Sequence, residues 1–260
     1  MMLSLRTFYA LIARDMRVFK SVYMSRLINA MIIVILETTV FQYIMPSMGV
    51  VVGYGALMVA GCVATNGLFD ILGNSSRLVS DIEGDKTIGY DLTLPLPHSL
   101  VMLRLAVTNA LQSMAICIWI LPVSKLLMGS GLSFEQTVWY KVVALFLIAH
   151  IFYGFLALFV ATCLKNLWGV EHIWVRFIFP FWWLGGFSFT WKTLQGISPM
   201  AAYVGLLNPL TMCFEGMRGA ILGQEGYLPF WFCFLTLVLW TVVIGYVGTK
   251  RMMRRLDCVS

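Results

Sequence analysis

Arg77 to Ser99 reads RLVSDIEGDKTIGYDLTLPLPHS. Asp81, Glu83, Asp85, Lys86 and Asp91 crowd into it, and Pro95 and Pro97 close it. The sequence on either side is strongly apolar. The segment therefore marks where the chain leaves an apolar environment and then returns to it. Read as the break between two membrane-crossing helices, it sets the frame for everything else.

Composition agrees with that frame. Of 260 residues, 60% are hydrophobic and only 12% are charged, with a mean hydropathy of +0.86. Soluble domains carry about 25% charged residues, so the expected class is an all-α integral membrane protein. A crossing helix needs about 20 apolar residues. Six stretches qualify, near 27–46, 49–72, 100–121, 138–162, 173–190 and 227–248.

Upstream of the first stretch, MMLSLRTFYALIARDMRVFK scatters Arg6, Arg14, Asp15, Arg17 and Lys20 among apolar residues. That excludes the unbroken apolar core of a signal peptide. Leu5, Phe8, Tyr9, Ile12, Met16 and Phe19 recur at helical spacing, so residues 1–26 read as an amphipathic helix at the membrane surface. Residues 200–222 are also apolar, but Asn208-Pro209 breaks them, and Glu215 and Arg218 follow. Proline removes a helical hydrogen bond, and asparagine before it favours a turn. Residues 196–224 therefore read as a re-entrant pair of short helices on the outer side, with a seventh crossing as the alternative.

The basic residues are lopsided. With six crossings, fourteen of the 18 lie on the side of the termini, leaving Lys125, Lys141, Lys192 and Arg218 opposite. Lys and Arg stay cytoplasmic, which places both termini there. The net charge of +6 is then explained by an anionic leaflet without invoking nucleic acid. Six cysteines form no C-x-x-C pair and the three histidines are far apart, so neither a disulfide framework nor a metal site is expected.

Residues 73–99 make the longest cytoplasmic connection. Leu78, Val79 and Ile82 share one helical face, Asp81 and Glu83 point elsewhere, and Gly84 ends the helix. The residues alone leave two readings, a helix that docks in a groove of a soluble partner or a solvated charged loop. Inside the membrane, Glu37 and His150 sit mid-span, where ionisable groups face a bundle interior or water. With Asn109 and Gln112 they are candidates for a translocation path, against the plainer reading of helix-packing hydrogen bonds. Glu215 and Arg218, three apart, should face each other as an ion pair.

Three features together resemble the type-2 family of ATP-binding-cassette (ABC) export permeases. They are the N-terminal amphipathic helix before six spans, the loop DIEGDKTIGYDLTLPLP, and LNPLTMCFEGMRGAILG from Leu207 to Gly223 with its Asn208-Pro209, Glu215 and Arg218. The resemblance implies a cytoplasmic ABC ATPase subunit docked on Leu78, Val79, Asp81, Ile82, Glu83, Asp85 and Lys86. It also implies a second permease copy and an amphipathic cargo moved out of a bacterial-type plasma membrane. ATP and Mg would sit on the partner, since the chain has no G-x-x-x-x-G-K-[ST] phosphate cradle. An intramembrane enzyme needs a polar constellation with more members than Glu37 and His150. A secondary transporter is expected to show matched broken helices, and one broken segment is seen.

Overall fold

The structure is a computed structural model that describes residues 2–49, 53–84, 87–164 and 169–257. The first helix, α1 (Met2–Thr39), passes through a π-helical turn at Val40–Ile44 into α2 (Met45–Ser47). The division expected near residue 26 does not appear as a break: interface segment and first span form one helix. The reason is compositional, since no glycine or proline occurs before Pro46. The face turned to the protein also differs from the expected stripe. Leu11 and Phe19 are buried and Phe8 packs on the core, whereas Leu5 and Tyr9 are exposed.

The second crossing is α3 (Tyr54–Thr65), a 3-10 turn at Asn66–Leu68, and α4 (Asp70–Glu83). A short α5 (Thr87–Leu92) follows. The third crossing is α6 (His98–Cys117) with α7 (Ile120–Met128), and the fourth is α8 (Trp139–Cys163). Then come α9 (Gly169–Ile173), a π-helical turn at Trp174–Ile178, and α10 (Phe179–Leu184). Three short helices, α11 (Trp191–Ile197), α12 (Pro199–Gly205) and α13 (Pro209–Ile221), precede the last crossing, α14 (Phe230–Asp257).

Among the described residues, five helical runs are long and apolar enough to cross a membrane: Leu5–Ser47, Tyr54–Glu83, His98–Gly131, Trp139–Cys163 and Phe230–Leu256. The crossing expected at 173–190 is shorter than that. Its helical residues run from Gly169 to Leu184, and Gly185 and Gly186 end them, Gly186 at φ 99°. At 1.5 Å per residue the described helical residues span about 24 Å, against about 30 Å of hydrocarbon. Its rings divide by face: Trp182 and Phe187 are buried, while Phe177, Phe179, Phe181 and Trp183 are exposed.

Helix α8 is the hub of the bundle, packing on α6, α14, α4 and α13. Close approach of α8 and α6 depends on Gly154, where a Cβ would collide with the carbonyl oxygen of Ala106. Overpacking of this kind costs about 1–3 kcal/mol. Gly154→Ala should therefore lower the unfolding temperature in detergent. Gly73→Ala in α4, where a Cβ meets nothing within 4 Å, should be neutral or slightly stabilising in the same measurement.

Candidate functional site

The acidic segment builds a corner between α4 and α5. Gly84 N–H closes α4 on the carbonyl of Ser80 at 2.9 Å. The Asp81 carboxylate then accepts the N–H groups of Thr87 (3.1 Å) and Ile88 (2.8 Å), capping the first turn of α5. Leu78, Val79 and Ile82 are buried, on a helix that packs against α8. The stripe that the sequence offered to a partner lies against the chain itself, because α4 continues the second span. Glu83, Thr87, Tyr90 and Thr93 face outward. Asp85 and Lys86 lie outside the described residues.

A ring of charges beneath the corner was not foreseen from the sequence. Asp91 on α5 is fully buried. Arg14 of α1 grips its carboxylate with two bonds of 3.1 Å, and Arg104 of α6 donates to it at 2.7 Å. Arg104 also bonds Asp15, and Arg14 Nε donates to Asp15 at 3.1 Å. Two cations and two anions thus balance in a mostly buried site and tie α1, α5 and α6 together. Paired, doubly bonded carboxylates are what make burial of such charges tolerable.

A second charged centre lies in the opposite half. Helix α13 begins with Asn208, whose side-chain oxygen accepts Leu210 N–H at 3.0 Å and whose amide donates to the Phe181 carbonyl at 2.6 Å. Pro209 at the first helical position loses nothing, because that N–H has no helical partner. Leu210 and Leu68, from the middle of the second span, line one cavity. The other end of α13 meets the start of α8, where Val138 N–H bonds Ala220 O at 2.9 Å. At 13 residues the helix is about 20 Å long, shorter than the hydrocarbon thickness of about 30 Å. Helices α12 and α13 are the two short helices expected within 196–224, broken at Asn208-Pro209, and α11 ahead of them was not expected.

Arg218 on α13 is fully buried. It donates to the carbonyls of Leu57 (3.1 Å), Gly186 (2.8 Å), Phe189 (2.9 Å) and Phe187 (2.7 Å). Glu215 lies 3.8 Å from it, the expected pair, but its closer partners are the N–H groups of Trp191 (2.9 Å) and Leu228 (3.2 Å). Each charge is thus held chiefly by backbone dipoles of the right polarity. Gly61 of α3 admits this helix, since a Cβ there would sit 2.7 Å from the Phe214 ring and 3.2 Å from Arg218.

The proposed path residues separate into two places. Glu37 of α1 accepts the Cys62 thiol at 3.1 Å, on the α1–α3 contact. His150 is fully buried in α8, its Nδ1 2.8 Å from the Phe146 carbonyl. Asn109 accepts from Arg77 at 3.1 Å, and Gln112 is buried with neither amide atom paired. A Cβ at Gly67 would lie 3.1 Å from the His150 ring. So Asn109, Gln112 and His150 belong to a polar seam between the second, third and fourth spans, and Glu37 lies on a different helix contact.

These features define a multi-pass, all-α membrane protein with a short buried helix, α13, before its last long helix and a braced corner between α4 and α5. A profile of the ABC-2 type transporter family matches residues 6–222, and the chain belongs to that family. It is a permease subunit of an ABC transporter. No curated protein and no solved structure matches the chain.

The charged centres make three outcomes measurable. Exchanging Glu215→Arg with Arg218→Glu should leave the protein as unstable as Arg218→Glu alone, because an anion at 218 would face four carbonyls. Thermal unfolding in detergent checks this, and recovery by the double variant would show that pairing is what counts. Asp91→Asn should destabilise by about 3–5 kcal/mol, as expected for breaking a buried pair. Arg14→Lys, at a partly exposed position, should cost about 1 kcal/mol or less in the same assay.

Proposed function

We propose that the chain is the membrane subunit of an exporter that moves an amphipathic substrate, a lipid-linked glycan or a drug-like molecule, out of the cytoplasm or the inner leaflet. A separate cytoplasmic ABC ATPase binds ATP and Mg and docks on the α4–α5 corner. A second permease copy completes the membrane pathway. The membrane is a bacterial-type plasma membrane with both termini cytoplasmic, as the positive charge bias favours.

The observation that carries this reading is the braced corner. Its outward face (Glu83, Thr87, Tyr90 and Thr93) is held by the Asp81 cap and by the Asp91 ring, which reaches α1 and α6. A push on α5 is therefore delivered to two membrane helices at once. Leu78, Val79 and Ile82 support this corner from inside. Glu83 and Tyr90 are the residues placed to touch the ATPase.

The test is affinity isolation from native membranes in mild detergent, with mass spectrometry and an ATPase assay. An ABC ATPase should accompany the wild type, and Glu83→Lys with Tyr90→Ala should lose it while the permease remains in the membrane at normal level. Isolation without any ATPase would overturn the reading. Undiminished recovery of the ATPase with the double variant would remove the corner as its docking site.

A further inference from the structure

We infer that the groove between α8, α14 and the short α9–α10 helix seats one anionic phospholipid of the cytoplasmic leaflet. Its acyl chain lies in the groove and its headgroup meets Arg251. The sidedness rests on the orientation proposed above; the binding itself does not.

The groove has a volume of about 430 Å³, inside the range of sites that hold small ligands. Its walls are apolar: Phe152, Leu156 and Val160 on one side, Phe177 on another, Ile244 on the third. Such a space offers water no partners, so within a bilayer hydrocarbon fills it. The gap has a structural cause. The α9–α10 helix packs chiefly on α13 and α4 instead of on α8 and α14, which leaves a space on that side.

Shape and charge name the occupant. The floor is Pro209 and Leu210, the deep start of α13, and one end opens at exposed Cys163, the last residue of α8. A tail entering there reaches only part-way through the membrane, as a single acyl chain of one leaflet does. Trp240 and Ile244 of α14 line the groove, and Arg251 follows eleven and seven residues later on the same helical face. Its guanidinium stands 5.7 Å over the ring of Phe159, another lining residue, and the residue is exposed. Lys250 and Arg254 flank it, giving the mouth a positive field for a phosphodiester.

The experiment is native mass spectrometry of the purified full-length protein, titrated with phosphatidylglycerol or with phosphatidylcholine of the same chains. Wild type should retain one phosphatidylglycerol per chain in preference to phosphatidylcholine. Arg251→Gln should reduce that preference about fivefold, the effect of one basic side chain near an anionic lipid, while still holding a lipid. Leu156→Phe with Val160→Phe should lose retention of both lipids. Should that variant fold poorly, phosphatidylglycerol brominated on its acyl chain serves instead: it should quench wild-type tryptophan emission, and Trp240→Phe should lose part of the quenching. Equal retention of the two headgroups by wild type, or quenching unchanged by Trp240→Phe, would overturn the proposal.

Discussion

A guanidinium with no access to water must be surrounded by acceptors, and Arg218 is surrounded by four backbone carbonyls from two separate parts of the chain. An unpaired buried charge would be prohibitive, so wherever α13 goes, the turn after α10 and the start of the second span must go with it. Glu215 does the same in the opposite sense, collecting the N–H groups that open α11 and precede α14. The half-buried hairpin is held by these two side chains, one supplying donors and one supplying acceptors. Phe187, whose carbonyl accepts from Arg218, packs its ring on Trp182 at 4.0 Å, so the aromatic cluster and the charged centre brace each other.

The Asp91 ring solves a similar problem at the other surface by different means. There, side chains neutralise side chains, and α1, α5 and α6 contribute one member or more each. Backbone partners make a site insensitive to which charge lies nearby but intolerant of changed sign. Side-chain partners make a site that responds to the loss of any one member. The first suits a fixed scaffold and the second suits a joint.

Much of the architecture could be read from the chain. The apolar runs located the five long crossings, and Asn208-Pro209 marked a helix start because cap and proline act within one turn. The unexpected short helix α11 has only a Thr190 cap, with Thr193 N–H on Thr190 Oγ1 at 3.2 Å and no proline beside it, so its start carries a weaker signature. The Asp91 ring was illegible because its members are 77 and 89 residues apart and no local rule links them. Leu78, Val79 and Ile82 were recognised as one apolar face, but periodicity does not say what covers a face. Here α8 does, since α4 extends a span instead of standing apart from it.

The first helix has a mechanical property that follows from its continuity. Leu5–Ser47 is a single run of 43 residues, about 65 Å long, clamped near one end by Arg14 and Asp15. It is a beam with its anchor off-centre. A rotation of about 10° about residue 14 would carry residue 47, about 50 Å away, through about 9 Å. Because the same helix is also tied to α3 through Glu37 and Cys62 and to α7 through Tyr43, a tilt of this size would have to carry those helices with it.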